Sequence, residues 1–130
     1  MLERWWKRKA APLKGAPPVR RLKSYSAQSG YVYQYLYCGN RTARNGVEFV
    51  FDVSADRTTF DAISVFVDHR AVAQWEDTHG RALIANERYA IAKMALFQAF
   101  DERSDPAAMK APVHVGAADV VTIMQTLDLD

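Results

Sequence analysis

The spacing of apolar residues changes once along this chain, near residue 67, and the change limits which elements can form on either side of it. Before that point, apolar side chains recur at every second position, as strands with one buried face require. After it they recur every three to four positions, which is the period of an amphipathic helix. The sequence therefore predicts strands first and helices second, an order typical of the α+β class.

Three strands are predicted, at residues 30–38, 47–53 and 60–67. The connecting segments, 39–46 and 54–59, are rich in Gly, Asn, Asp and Thr and are short enough for hairpins. The strands should therefore form an antiparallel meander. In the second strand, Val47, Phe49, Phe51 and Val53 point to one side, which must be the core side.

Three helices should follow and pack on one face of the sheet. Asp68 is a suitable N-cap for the first helix, and Gly80 is a suitable residue to end it. The second helix opens at Asn86, and the last one covers about 117–127. Prolines at 106 and 112 interrupt the chain between them. We expect one domain at 25–130, preceded by an extended arm at 1–24.

The arm carries most of the positive charge. Residues 1–24 contain eight basic residues and one acidic residue, a net charge of +7, whereas the remainder has nine basic and fourteen acidic residues, a net charge of −5. Pro12, Pro17 and Pro18 disfavour a helix here. A basic arm before an acidic body suits an anionic partner or the protein's own acidic face.

Four tyrosines in the first strand, Tyr31, Tyr33, Tyr35 and Tyr37, fall on one face and form a stripe. Spacing alone does not fix whether this stripe or the opposite one meets the helices. A buried hydroxyl without a partner costs about 1–3 kcal/mol, which favours the tyrosines on the outer face. There they need a cover, from the arm as a second small core, a partner protein, or stacked single-stranded nucleic acid.

The chain shows no local catalytic motif: it has no glycine-rich phosphate loop, no GxSxG and no carboxylate cluster of known spacing. His69 and His79 would stand about 15 Å apart along a helix, too far to share a metal ion. The lone Cys38 has no partner at zinc-ligand spacing. We predict no catalytic residue, metal or cofactor.

The single cysteine, together with the lack of a secretory signal or a long apolar run, predicts a cytoplasmic protein without a transmembrane segment. It would be free, peripheral to a membrane, or part of a large complex.

The residues favour a non-enzymatic interaction protein, a small subunit or adaptor that docks on a protein partner through the arm and an aromatic sheet face. The candidate partner-binding residues are Arg4, Trp5, Trp6, Lys7, Arg8, Lys9, Arg20, Arg21, Tyr31, Tyr33, Tyr35 and Tyr37.

Two alternatives remain open for the function. The arm and the tyrosine stripe would also suit a nucleic-acid-binding protein, although the acidic body argues against it. Residues 1–24, with Trp5 and Trp6, would equally suit anionic membrane headgroups. The second alternative is a small enzyme whose site comes from residues that no local spacing reveals.

Overall fold

The computed structural model describes residues 11–128 and has an α+β fold, as the apolar spacing predicts. The described elements are β1 (Lys23–Ser26), β2 (Val32–Ala43), β3 (Gly46–Ser54), β4 (Asp61–Asp68), α1 (His69–His79), α2 (Ala85–Glu102), α3 (Pro106–Met109), β5 (Val113–Val115) and α4 (Ala117–Thr126). Arg4, Trp5, Trp6, Lys7, Arg8 and Lys9 lie outside the described residues.

The sheet of the described chain has five strands in the order β1-β2-β3-β4-β5. Neighbours from β1 to β4 are antiparallel, whereas β5 runs parallel to β4. The predicted three-stranded meander matches this sheet only roughly, because short strands extend it at both edges. β1 was missed because the sequence KSYS has no apolar alternation, and it begins inside the predicted arm.

The helix boundaries follow capping chemistry. The Asp68 carboxylate accepts the backbone N–H of Arg70 at 2.8 Å, and Gly80 ends α1 in the left-handed conformation with φ of 68°. A fourth helix, α3, begins at Pro106, where the sequence predicts only an interruption. Proline is favoured in the first turn of a helix, and the Asp105 carboxylate caps this one by accepting the Ala108 N–H at 2.8 Å.

The core lies between one face of the sheet and helices α1, α2 and α4. Cross-strand register puts Phe49 opposite Val65 and Phe51 opposite Ile63, so the apolar stripe of β3 is on the core side. The predicted core face of this strand is therefore confirmed by the burial of its phenylalanines.

The tyrosine row of β2 faces the same core, and the prediction that it lies on the outer face is wrong. Register places Tyr35 opposite Val53 and Tyr37 opposite Phe51. Tyr33 is 1% exposed and Tyr35 is 5% exposed, whereas Tyr37 is half-buried and Tyr31 is 39% exposed. The stripe with Val32, Gln34 and Leu36 therefore forms the outer face of the strand.

Aromatic packing against α2 explains this orientation. The rings of Tyr33 and Phe100 stack with centroids 4.4 Å apart and planes at 8°, and Tyr25 stacks on Phe97 at the same distance. Burying 150–250 Å² of a tyrosine contributes about 4–6 kcal/mol at about 25 cal/mol per Å². That gain exceeds the cost of about 1–3 kcal/mol for one unpartnered hydroxyl, which was the reason for expecting the opposite face.

A β-bulge at Cys38 resets the alternation of β2. Tyr37 pairs with Phe51 and Gly39 with Val50, which leaves Cys38 as an extra residue. Asn40 therefore continues the tyrosine side, opposite Phe49. On the outer face, the guanidinium of Arg41 donates to Glu48 at 2.8 Å.

Substitutions at Tyr33 test which way the row faces. Its hydroxyl has no hydrogen-bond partner among the described residues. Tyr33→Phe should therefore leave the free energy of unfolding unchanged or raise it by up to about 1 kcal/mol, because it removes an unpaired polar atom. Tyr33→Ala should lower it by about 3–5 kcal/mol through loss of the buried ring. Denaturant unfolding measures both values.

The control for Tyr33 is Tyr31→Ala, which removes a partly exposed ring from the same strand region and should cost about 1 kcal/mol or less. A cost at Tyr33→Ala as small as that at Tyr31→Ala would contradict the inward orientation of the row.

Candidate interaction site: the basic arm and the tyrosine cleft

The described part of the predicted arm, residues 11–24, runs along the free edge of β2 and contacts it at two places. Lys14 and Asn40 exchange two backbone hydrogen bonds, with N···O distances of 2.9 and 2.8 Å. Further along, Lys23 begins β1 opposite Tyr35. Apart from the half-buried Ala16, the residues of this segment are exposed.

Gly39 makes the first contact possible. Its φ of +125° is a conformation that side-chain-bearing residues rarely adopt. A Cβ at this position would also lie 2.7 Å from the backbone oxygen of Lys14, closer than real Cβ contacts come. The bulge therefore supplies a side-chain-free stretch of strand against which the arm can pair.

Between its two contacts, the arm is longer than the strand beside it. From Lys14 to Lys23 an extended chain would cover roughly 30 Å, whereas β2 covers only roughly 16 Å from Asn40 back to Tyr35. The arm must therefore bow away from the sheet. The space that it encloses is a cleft of about 470 Å³, which we call the tyrosine cleft.

The walls of the tyrosine cleft are mainly aromatic. Tyr35 and Tyr37 of β2 form one wall and Tyr89 of α2 forms another, with the rings of Tyr37 and Tyr89 4.7 Å apart. Pro17 and Val19 of the arm close the outer side. An aromatic, apolar concavity of this volume is within the range of small-ligand sites.

The hydroxyl groups in the tyrosine cleft differ in their partners. Tyr37 accepts a hydrogen bond from the Asn40 side-chain amide at 2.8 Å. The hydroxyls of Tyr35 and Tyr89 have no hydrogen-bond partner within residues 11–128, although Tyr35 is 5% exposed. Burial raises the pKa of all three phenols, so they remain protonated donors at neutral pH.

The electrostatics of the tyrosine cleft favour an anion. Arg21 and Lys23 line it, and none of its lining residues is acidic. Lys93 lies one helical turn after Tyr89. Burial, and then the positive charge of Lys23, hold the pKa of Lys93 below its usual value.

The basic side chains of the described arm are free of ion pairs. Lys14, Arg20, Arg21 and Lys23 are all exposed, and none forms an ion pair with a described acidic residue. Basic residues of the body, in contrast, form ion pairs with acidic residues of the body. Examples are Arg41–Glu48 and Arg81–Glu87, whose N···O distances are both 2.8 Å. The charge on this part of the arm is therefore available to a partner.

The structure brings together part of the predicted set of site residues. Arg21, Tyr35 and Tyr37 meet at the tyrosine cleft, whereas Arg20 lies beside it on the arm. Tyr33 is inside the core, and Tyr31, which precedes β2, does not line the cleft.

The residues of this site that sequence reasoning missed include Lys23, Asn40 and Tyr89 of the cleft lining, together with the neighbouring Lys93. The spacing of Tyr89 and Lys93, four residues apart on one helix face, was a usable signal. No local signal pairs Asn40 with the arm.

Other reactive side chains give no second site. Cys38 is buried, and burial raises the pKa of its thiol, which disfavours a reactive thiolate. Residues 11–128 contain no group of three or more His, Cys, Asp or Glu able to hold a metal ion. Across the same residues, none of the helices has the length and apolar character that crossing a membrane requires.

No family model, curated protein or solved structure matches this chain.

The closeness of Lys23 and Lys93 can be tested by titration. Lys23→Gln should raise the pKa of Lys93, because it removes a nearby positive charge that disfavours protonation. The value should stay below that of an ordinary lysine, since burial is the larger cause. Nitrogen-15 NMR of the lysine side chains across alkaline pH measures it.

Lys110→Gln is the matched control for this titration, since Lys110 is exposed and follows α3, outside the cleft. It should leave the pKa of Lys93 unchanged. The same Lys93 pKa in wild type and Lys23→Gln would show that the two ammonium groups are not neighbours.

Proposed function

We propose that this chain is a non-enzymatic interaction protein, a small subunit or adaptor, whose basic arm docks on an acidic protein partner. The observation that carries the proposal is the arm itself. It is extended along one sheet edge, is paired at two places, and presents Lys14, Arg20, Arg21 and Lys23 without ion pairs to the described acidic residues.

The distribution of charge supports an acidic partner. The body has a net charge of −5, so an arm that served only to neutralise it would be expected to pair with its carboxylates. Instead, the described basic side chains are exposed and form no ion pair with a described acidic residue. Exposed arginines and lysines around an aromatic concavity are typical of surfaces that recognise acidic segments.

The aromatic contribution to docking differs from the one expected from the sequence. Tyr33 packs in the core, and Tyr35 is 5% exposed, so the row offers no open strip for a partner. In the proposal, the arm supplies the charge, and the tyrosine cleft between arm and body supplies the aromatic surface.

Neutralising the arm tests the proposal. The variant Lys14→Gln, Arg20→Gln, Arg21→Gln, Lys23→Gln should bind a fluorescent Glu-rich peptide at least about fourfold more weakly than wild type. Each exposed pair contributes about 0.2–1 kcal/mol, and 1.4 kcal/mol corresponds to a factor of ten. Fluorescence anisotropy at low and moderate salt measures the affinity.

The matched control removes the same charge from the body by changing Arg44, Arg57, Arg70 and Lys110 to Gln, all of which are exposed. It should retain binding. Equal losses of affinity for the peptide in both variants would show that binding depends only on net charge, and this result would contradict the proposal. Tighter binding of an oligothymidine strand than of the peptide would instead favour the nucleic-acid alternative.

A further inference from the structure

We propose that the tyrosine cleft is a binding site for a small planar organic anion, an aromatic ring that carries a carboxylate. This goes beyond docking of the arm, since it assigns a separate ligand to the space between arm and body. Its volume of about 470 Å³ is in the lower part of the range for small-molecule sites, which suits one or two rings.

The aromatic walls supply the surface that would hold the ring. Tyr37 and Tyr89 are tilted to each other at 55° with centroids 4.7 Å apart. Phe49 also lines the cleft, and its ring centroid is 6.4 Å from that of Tyr37. A ligand ring entering beside them gains the edge and offset contacts that aromatic pairs prefer. Pro17 and Val19 would cover its other face from the arm.

The cationic rim supplies the charge that would hold the carboxylate. Arg21 and Lys23 line the cleft without an acidic residue among the lining side chains. Burial, and then the positive charge of the neighbouring Lys23, lower the pKa of Lys93. A bound carboxylate would offset the repulsion between these two ammonium groups. A planar carboxylate matches the two-pronged geometry of a guanidinium, which favours Arg21 as its main partner.

The hydroxyl of Tyr35 is a free hydrogen-bond donor on the wall of the cleft. Tyr35 lines the cleft, and no hydrogen bond within residues 11–128 uses its hydroxyl. The buried side-chain atoms without a partner in the described residues are the Tyr33 hydroxyl and the Trp75 indole nitrogen, so the Tyr35 hydroxyl is open to the space of the cleft. A ligand oxygen in the cleft would accept the hydrogen bond that this phenol has to donate.

Occupation of the cleft would also fix the arm. The ligand would touch both the arm, at Pro17, Val19 and Arg21, and the body, at Tyr35 and Tyr89. Segment 15–22 has no backbone pairing with β2 between its two contacts. A ligand that bridges arm and body would therefore slow trypsin cleavage after Arg20 and Arg21.

Fluorine NMR with three matched probes tests the inference on the full chain. The probes are 4-(trifluoromethyl)benzoate, the neutral 4-(trifluoromethyl)benzamide and the cationic 4-(trifluoromethyl)benzylamine. The benzoate should bind saturably, at least about tenfold more tightly than the amide, which is the factor for one modest charge-assisted contact. The benzylamine should not bind. Equal binding of all three, or no saturable binding of the benzoate, would overturn the proposal.

Variants locate the probe. Arg21→Gln with Lys23→Gln should abolish the preference for benzoate over benzamide, and Tyr35→Phe should weaken benzoate binding several-fold by removing only the hydroxyl. The control, Arg57→Gln with Lys110→Gln, removes equal charge elsewhere and should change nothing. Unchanged benzoate binding in the Arg21, Lys23 variant would place the site elsewhere and reject the assignment.

Failure of this inference can be told apart from failure of the docking proposal. Tyr35→Phe leaves the charges of the arm intact, so binding of the Glu-rich peptide should be the same as in wild type. If the peptide binds and the benzoate does not, the arm docks without a small ligand. If the benzoate binds and the peptide does not, the cleft is a ligand site and the docking proposal fails.

Discussion

Packing of Tyr33 and Tyr35 of β2 against the phenylalanines of α2 is the interaction on which the rest of this structure depends. Once Tyr33 lies flat against Phe100, the alternation of the strand fixes Tyr35 and Tyr37 on the same side. Register then aligns them with the apolar stripe of β3, whose core face is Phe49 and Phe51. A shift of one residue would turn every ring outward and bring Gln34 into the core.

The same orientation creates the candidate site. With the tyrosines turned toward the helices, Tyr35 and Tyr37 line one cleft together with Tyr89 of α2. The bulge at Cys38 and the bare Gly39 let the arm pair with Asn40 at that edge. Because the arm is longer than the strand that it follows, it bows outward and leaves a cleft. The tyrosine cleft therefore depends on the core packing of the tyrosines, on the bulge at Cys38 and on the length of the arm.

Periodicity and capping chemistry were sufficient for the fold class, for the apolar face of β3, and for the caps of α1 at Asp68 and Gly80. These signals are local, since each depends on neighbours within one or two turns of chain. The face of the tyrosine row was predicted wrongly because it depends on Phe97 and Phe100, more than sixty residues away. The strand β1 and the helix α3 lack an apolar period and form through pairing or capping alone.

The site was predictable only in part, for the same reason. Arg21 stands out within the run of arm charges, and Tyr35 and Tyr37 stand out by their alternation. Nothing local indicates that Asn40 pairs with Lys14, because the bulge that turns Asn40 inward has no clear sequence signature beyond a glycine. A contact between two distant segments, such as the arm and β2, is determined by tertiary packing, which the local pattern of either segment does not show.

Amide hydrogen exchange along the arm and β2, followed by NMR, tests this account most directly. The backbone N–H of Lys14 donates to the carbonyl oxygen of Asn40, and the N–H of Asn40 donates to the carbonyl oxygen of Lys14. Both amides should therefore exchange at least about tenfold more slowly than the amides of residues 19–21, which lie in the bowed segment. If Lys14 and Asn40 exchange as fast as the bowed segment does, the arm does not lie on the edge of β2. The tyrosine cleft would then have no outer wall.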